Sequence, residues 1–167
     1  MTIEEFTTVV NTHADVVRAY IFRRGSGLDV GVSDIDDIAA DVWAIAWSKR
    51  SQAPAVEDID VMRAWLLQIA RLTLANHIRK TVARRQWGVS ETDIAVASTE
   101  HIVLADEDLR RGFAALSPGE KEVFALTVWE GLKPAQVAEV LGISANAASL
   151  RLFKARTKIA EILTERN

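Results

Sequence analysis

Between Ser144 and Lys158 the chain carries Arg151, Lys154, Arg156 and Lys158 and no acidic residue. Asn146 and Ser149 stand on the same short stretch. Lys and Arg at helical spacing reach phosphate oxygens, while an amide or hydroxyl can hydrogen-bond a base edge. The amides at the start of such a helix can also hold a phosphate. A second run, Met62 to Trp87, holds Arg63, Arg71, Arg79, Lys80, Arg84 and Arg85, again without an acid. The net charge is −3. Two separate basic stretches on an acidic chain imply two local phosphate contacts. Either run alone is equally compatible with a solvated helix face.

Other chemistry finds little support. The chain has no cysteine, which excludes disulfides, a thiol nucleophile and thiolate metal sites. His13, His77 and His101 fall in different segments. No phosphate-loop glycine pattern, nucleophile elbow or His-Glu-x-x-His site is present. The expectation is a protein that is not an enzyme and holds no metal or cofactor. The start, MTIEEFTTVV, has acids where a leader peptide would be basic. No apolar run approaches the roughly 18–20 residues that cross a bilayer. A cytoplasmic location is expected.

The elements that must position these residues read as helices throughout. Ile3 to about Arg24 has apolar residues at helical spacing, and the glycines of RGSGLDVGVS break it. The second helix is expected to start after Ser33 as N-cap, with Asp34, Asp36 and Asp37 in the first turn. Ile38, Val42, Ile45 and Ala46 form its apolar stripe, flanked by Trp43 and Trp47. After the loop SQAPAVEDID, a third helix is expected from about Ile59 to Arg85, burying Trp65, Leu66, Ile69, Leu72 and Ile78. Trp87 is the tryptophan expected to be exposed. Residues from about Trp87 to Asp106 are polar, acidic and aperiodic, and read as a linker with at most a short helix around Ile102 to Leu104.

Four further helices follow. Glu107 to Leu116 is the first. Ser117, Pro118 and Glu120 give the signature of a capping box with proline at the first position. That helix runs to about Trp129, which packs in the C-terminal unit, and Gly131 ends it. Pro134 opens the next helix, Gly142 stops it, and Ser144 caps the last, which continues to about Glu165. The pair around Gly142 has helix-turn-helix spacing. Gly142 permits the tight turn, and small Ala138 lets the two helices approach. Val137, Val140 and Leu141 face the core. Ala148, Leu152, Ala155 and Ile159 fall on one inward stripe. Asn146, Ser149, Leu150, Phe153, Lys154 and Arg156 then face outward, with Arg151 and Lys158 at the edges. The fold class is all-α: two small helical domains, 1–86 and 107–167, joined by the acidic linker 87–106.

Two segments now resemble one family. The run from Leu109 to Leu163, LRRGFAALSPGEKEVFALTVWEGLKPAQVAEVLGISANAASLRLFKARTKIAEIL, resembles region 4 of bacterial RNA polymerase sigma factors of the extracytoplasmic-function (ECF) type. SDIDDIAADVWAIAWSKR and MRAWLLQIARLTLANHIRK are similar to successive helices of the same family's region 2. Order and separation match, and nearly the whole chain except the linker is covered.

The resemblance implies a dissociable specificity subunit of core RNA polymerase that binds promoter DNA, with an anti-sigma factor as a further partner. Region 2 would dock on the core enzyme's clamp helices and melt the −10 element. Region 4 would bind the −35 element. The resemblance puts core docking at Asp34, Asp36, Asp37 and Asp41. It puts −10 contacts at Arg63, Arg71, Asn76, His77, Arg79 and Lys80, with a flipped base taken by the loop Ser51 to Asp58. It puts −35 contacts at Asn146, Ser149, Leu150, Arg151, Phe153, Lys154 and Arg156. The family commonly has Gln where this chain has Ala40, and Asn where it has Leu72. It often carries a Val, a basic residue and a Ser where this chain has Ala148, Ser149 and Leu150. Helix N-terminal charge complementarity alone would also explain Asp34, Asp36 and Asp37. The alternatives are a two-domain helix-turn-helix regulator that does not engage polymerase, and a helical protein-interaction module.

Overall fold

The computed structural model describes residues 1–25, 30–83 and 106–164. Seven α-helices are formed among them: α1 (Ile3–Gly25), α2 (Val32–Ser48), α3 (Ile59–Ala83), α4 (Glu107–Ala114), α5 (Pro118–Val128), α6 (Pro134–Leu141) and α7 (Ala145–Thr164). A single 3-10 turn, Arg50–Gln52, follows α2. The expected linker, its short helical stretch and Trp87 lie outside the described residues, apart from Asp106, which caps α4.

Helices α1, α2 and α3 pack on one another as the first unit, and α4 to α7 form the second. The local signals are set where the sequence puts them. The Ser117 amide donates to Glu120 Oε2 at 2.8 Å, and the Glu120 amide to Ser117 Oγ at 3.4 Å, with Pro118 opening α5. The Ala147 amide donates to Ser144 Oγ at 3.1 Å at the start of α7. Gly142 takes φ +65°, a left-handed conformation that costs glycine nothing and turns the chain from α6 into α7.

The cap of α2 is a correction. Ser33 lies inside the helix, and the N-cap is Gly31. The Asp34 carboxylate accepts from the Gly31 amide at 2.8 Å, so the acid reaches back to satisfy the exposed donor. Two other differences concern α3. Leu66, Ile69 and Ile78 are buried as expected, but Leu72 is 45% exposed and Trp65 is only partly buried.

A continuous apolar cluster crosses from one unit to the other. It runs from Val17, Ile21, Val42 and Leu67 in the first unit to Leu126, Leu132, Val137 and Leu152 in the second. A smaller cluster joins Phe113, Phe124, Ala155 and Ile159, with Trp129 edge-on to both phenylalanines. Trp43 and Trp47 pack against Phe6. Polar contacts reinforce the seam. Glu130, its side chain 1% exposed, accepts from Arg23 Nη2 at 2.6 Å and Arg24 Nη1 at 3.1 Å. Arg71 of α3 holds Glu122 of α5.

Candidate nucleic-acid interface

Helix α7 separates its two faces as its sequence dictates. Ala148, Leu152, Ala155 and Ile159 are its buried residues. Asn146, Ser149, Leu150, Phe153, Lys154 and Arg156 are all exposed. Small alanines on the inward stripe bring α7 close to α4, α5 and α6, which fixes the angle at which the outer face is presented. Edge positions behave differently. Lys158 Nζ donates to Glu120 Oε2 at 2.8 Å, so this cation is partly neutralised and ties α7 to α5. The Arg151 guanidinium rests over Gly119, where a side-chain carbon would lie 3.2 Å from Nη1. Glycine there leaves room for the arginine to lie along the helix start.

Leu150 is 50% and Phe153 68% exposed. They lie three residues apart on the outer face, so they are neighbours there. Lys154 and Arg156 flank them. The face is therefore cationic at its margins and apolar along its middle.

The six residues of the first unit considered for −10 contacts have different surroundings. Arg71 is directed into the seam by Glu122. Arg63 lies beside Gly131 of the second unit and within 3.8 Å of Asp60. Asn76, Arg79 and Lys80 lie in the last turns of α3, where Arg79 Nη2 donates to Asn76 Oδ1 at 2.7 Å. His77 is partly buried. A hollow of about 330 Å³ opens between α2 and α3, with Ile45, Lys49, Gln52, Trp65, Leu72 and Asn76 in its walls. Leu72 and Trp65 are incompletely buried because they line this hollow. The sequence pattern missed it, because a gap between two helices has no signature in either helix alone.

The acidic residues of α2 also divide. Asp37 and Asp41 are exposed and, four apart, occupy one face. Among the described residues neither has an ion-pair partner. Asp36 points to α1 and pairs with Arg18. Asp34 is engaged by the Gly31 amide. Of the four acids, Asp37 and Asp41 are thus open on α2, while Asp34 and Asp36 make contacts within the first unit.

His13 is buried, and burial, aided by the nearby Arg63 charge, holds its imidazole below the usual range. His77 stands on a separate helix, and no group of acids and histidines able to hold a metal occurs among the described residues. No described helix is long and apolar enough to cross a membrane.

Residues 106–159 match the family model described as sigma-70, region 4. A Mycobacterium tuberculosis protein named probable ECF RNA polymerase sigma factor SigI is 27% identical over 165 residues, covering 91% of this chain and 57% of its own length. The chain thus spans little more than half of that relative. The RNA polymerase sigma factor CnrH of Cupriavidus metallidurans is 29% identical over 147 residues, covering 78% of this chain and 74% of the relative. In fold, the chain is similar to CnrH solved in complex with the cytosolic domain of CnrY, with TM-score 0.60, 23% identity, and 97% and 89% of the two chains covered. It is similar also to the sigma factor RpoE solved with the anti-sigma factor NepR from Bartonella quintana, with TM-score 0.62, 18% identity, and 97% and 98% covered. Residues 106–159 thus match sigma-70 region 4, and the chain is similar in sequence to proteins named ECF sigma factors and shares the helical fold of two solved sigma factors.

Proposed function

We propose that the chain is a dissociable promoter-specificity subunit of bacterial RNA polymerase that directs transcription initiation. The observation that carries this reading is the outer face of α7 from Asn146 to Arg156: capped, free of acids and exposed, on the second helix of a helix-turn-helix within a sigma region 4 match. In this reading α7 enters the major groove at the −35 element, with Lys154 and Arg156 on phosphates and Asn146, Ser149 and Leu150 toward bases.

The first unit supplies the rest. Asp37 and Asp41 on α2 form the core-docking face. Asn76, Arg79 and Lys80 track the −10 strand beside the hollow between α2 and α3. An extruded base costs a few kcal/mol to unstack, and a pocket with one aromatic wall, one cation and one amide offsets that cost. Trp65, Lys49 and Asn76 provide those three groups. An anti-sigma factor is the proposed regulator, since the RpoE neighbour is solved with NepR, an anti-sigma factor.

Mixing the chain with core RNA polymerase tests the reading against a regulator that acts without polymerase. Co-elution as one complex on size exclusion is expected. Separate elution, with DNA binding retained, would favour the regulator.

A further inference from the structure

Leu150 and Phe153 are large apolar side chains that stay exposed on the one face of α7 that no other element covers. Leu150 is the sixth residue of the helix, within the N-terminal part that meets base edges when such a helix enters the major groove. It has no donor or acceptor, so it cannot read guanine, adenine or cytosine by hydrogen bonding. The apolar group that a major groove offers is the C5-methyl of thymine. The margins of the face, Lys154 and Arg156, and the absence of any acid from Ser144 to Lys158 make a polyanion the fitting occupant. We infer that Leu150 is a specificity-determining residue that selects thymine at one position of the −35 element by apolar contact with its methyl group.

This inference rests on the promoter-binding reading above. To test it, the chain with core polymerase first selects fragments from a pool randomised over the −35 region. Each thymine of the selected element is then replaced singly by deoxyuridine, which removes only the methyl. At one position the wild-type complex should lose about fourfold in affinity, the worth of one buried methyl group. Leu150→Ser should bind the thymine duplex about as weakly as wild type binds the deoxyuridine duplex, and show no difference between the two. A selected element without thymine, or indifference to deoxyuridine at every position, overturns the inference while leaving promoter binding intact. If Leu150→Ser weakens assembly with core polymerase and methyl dependence is absent, the patch is a protein-docking face and the inference also fails. If no sequence is enriched at all, the promoter-binding reading itself falls.

Discussion

Arg71 on α3 grips Glu122 on α5 with two donors, Nε at 3.1 Å and Nη2 at 3.0 Å from the same oxygen. The side chains are 11% and 9% exposed, so the pair is largely removed from water. Breaking a buried pair by removing one partner costs about 3–5 kcal/mol, since the other charge is left uncompensated. Here the chain can relieve that cost by opening at the seam. Glu122→Ala should therefore raise the radius of gyration in solution scattering while helix content stays constant. Arg71→Glu combined with Glu122→Arg should return the radius toward the wild-type value. Loss of helix in Glu122→Ala would show instead that the pair holds the fold of a unit.

The α7 face predicts a salt signature. Each phosphate neutralised contributes about 0.9 to the slope of log affinity against log salt. Arg151→Ala with Lys154→Ala should weaken promoter binding and reduce that slope by about 1.8. Arg151 also lies over Gly119, so a small loss of stability accompanies the change. An unchanged slope would remove α7 from the DNA.

The α2 face predicts a loss of assembly without a loss of fold. Asp37→Lys with Asp41→Lys should abolish binding to core polymerase. Both positions are exposed and lie beyond the first turn of α2, where the helix dipole has little hold, so circular dichroism and the melting temperature should be nearly unchanged. A normal holoenzyme from this variant would exclude α2 from docking.

The α5 cap predicts an acid limb. Burial alone would raise the Glu120 carboxyl, but the Lys158 ammonium and the Ser117 amide and hydroxyl outweigh it and hold it below the usual 4.5. A carboxyl with a lowered folded pKa binds its proton more tightly in the unfolded chain. Its stabilisation is therefore complete above about pH 4.5 and lost as pH falls through the folded value. Glu120→Gln should flatten the fall in melting temperature as pH drops below about 4.5. Ser117→Ala should cost about 1 kcal/mol at neutral pH. The same acid limb in Glu120→Gln would assign it to other carboxylates.

Much of the fold was legible because its signals are local. Ser117, Pro118 and Glu120 make their cap within four residues, Gly142 turns the chain alone, and α7 buries the four residues its period selects. The cap of α2 was misplaced by two residues because a short acid can reach backward as well as receive from ahead, and Asp34 reaches back to Gly31. Leu72 and Trp65 read as core by period, yet line a hollow that exists only between helices. Arg63 and Arg71 read as strand contacts, but are turned toward the second unit. For Arg71 the partner is Glu122, 51 residues away, a relationship that periodicity does not carry. Of the site, the outer face of α7 was legible as a surface, and the −10 and docking sets were legible only as candidates.

Run-off transcription decides whether the chain directs initiation. Core polymerase, with and without the chain, is given a library of random promoter fragments, and the transcripts are sequenced. Transcripts that start at defined sites only when the chain is present, share two upstream elements, and vanish with Asp37→Lys and Asp41→Lys are the predicted result. Equal transcription with and without the chain, from the same fragments, would contradict the claim.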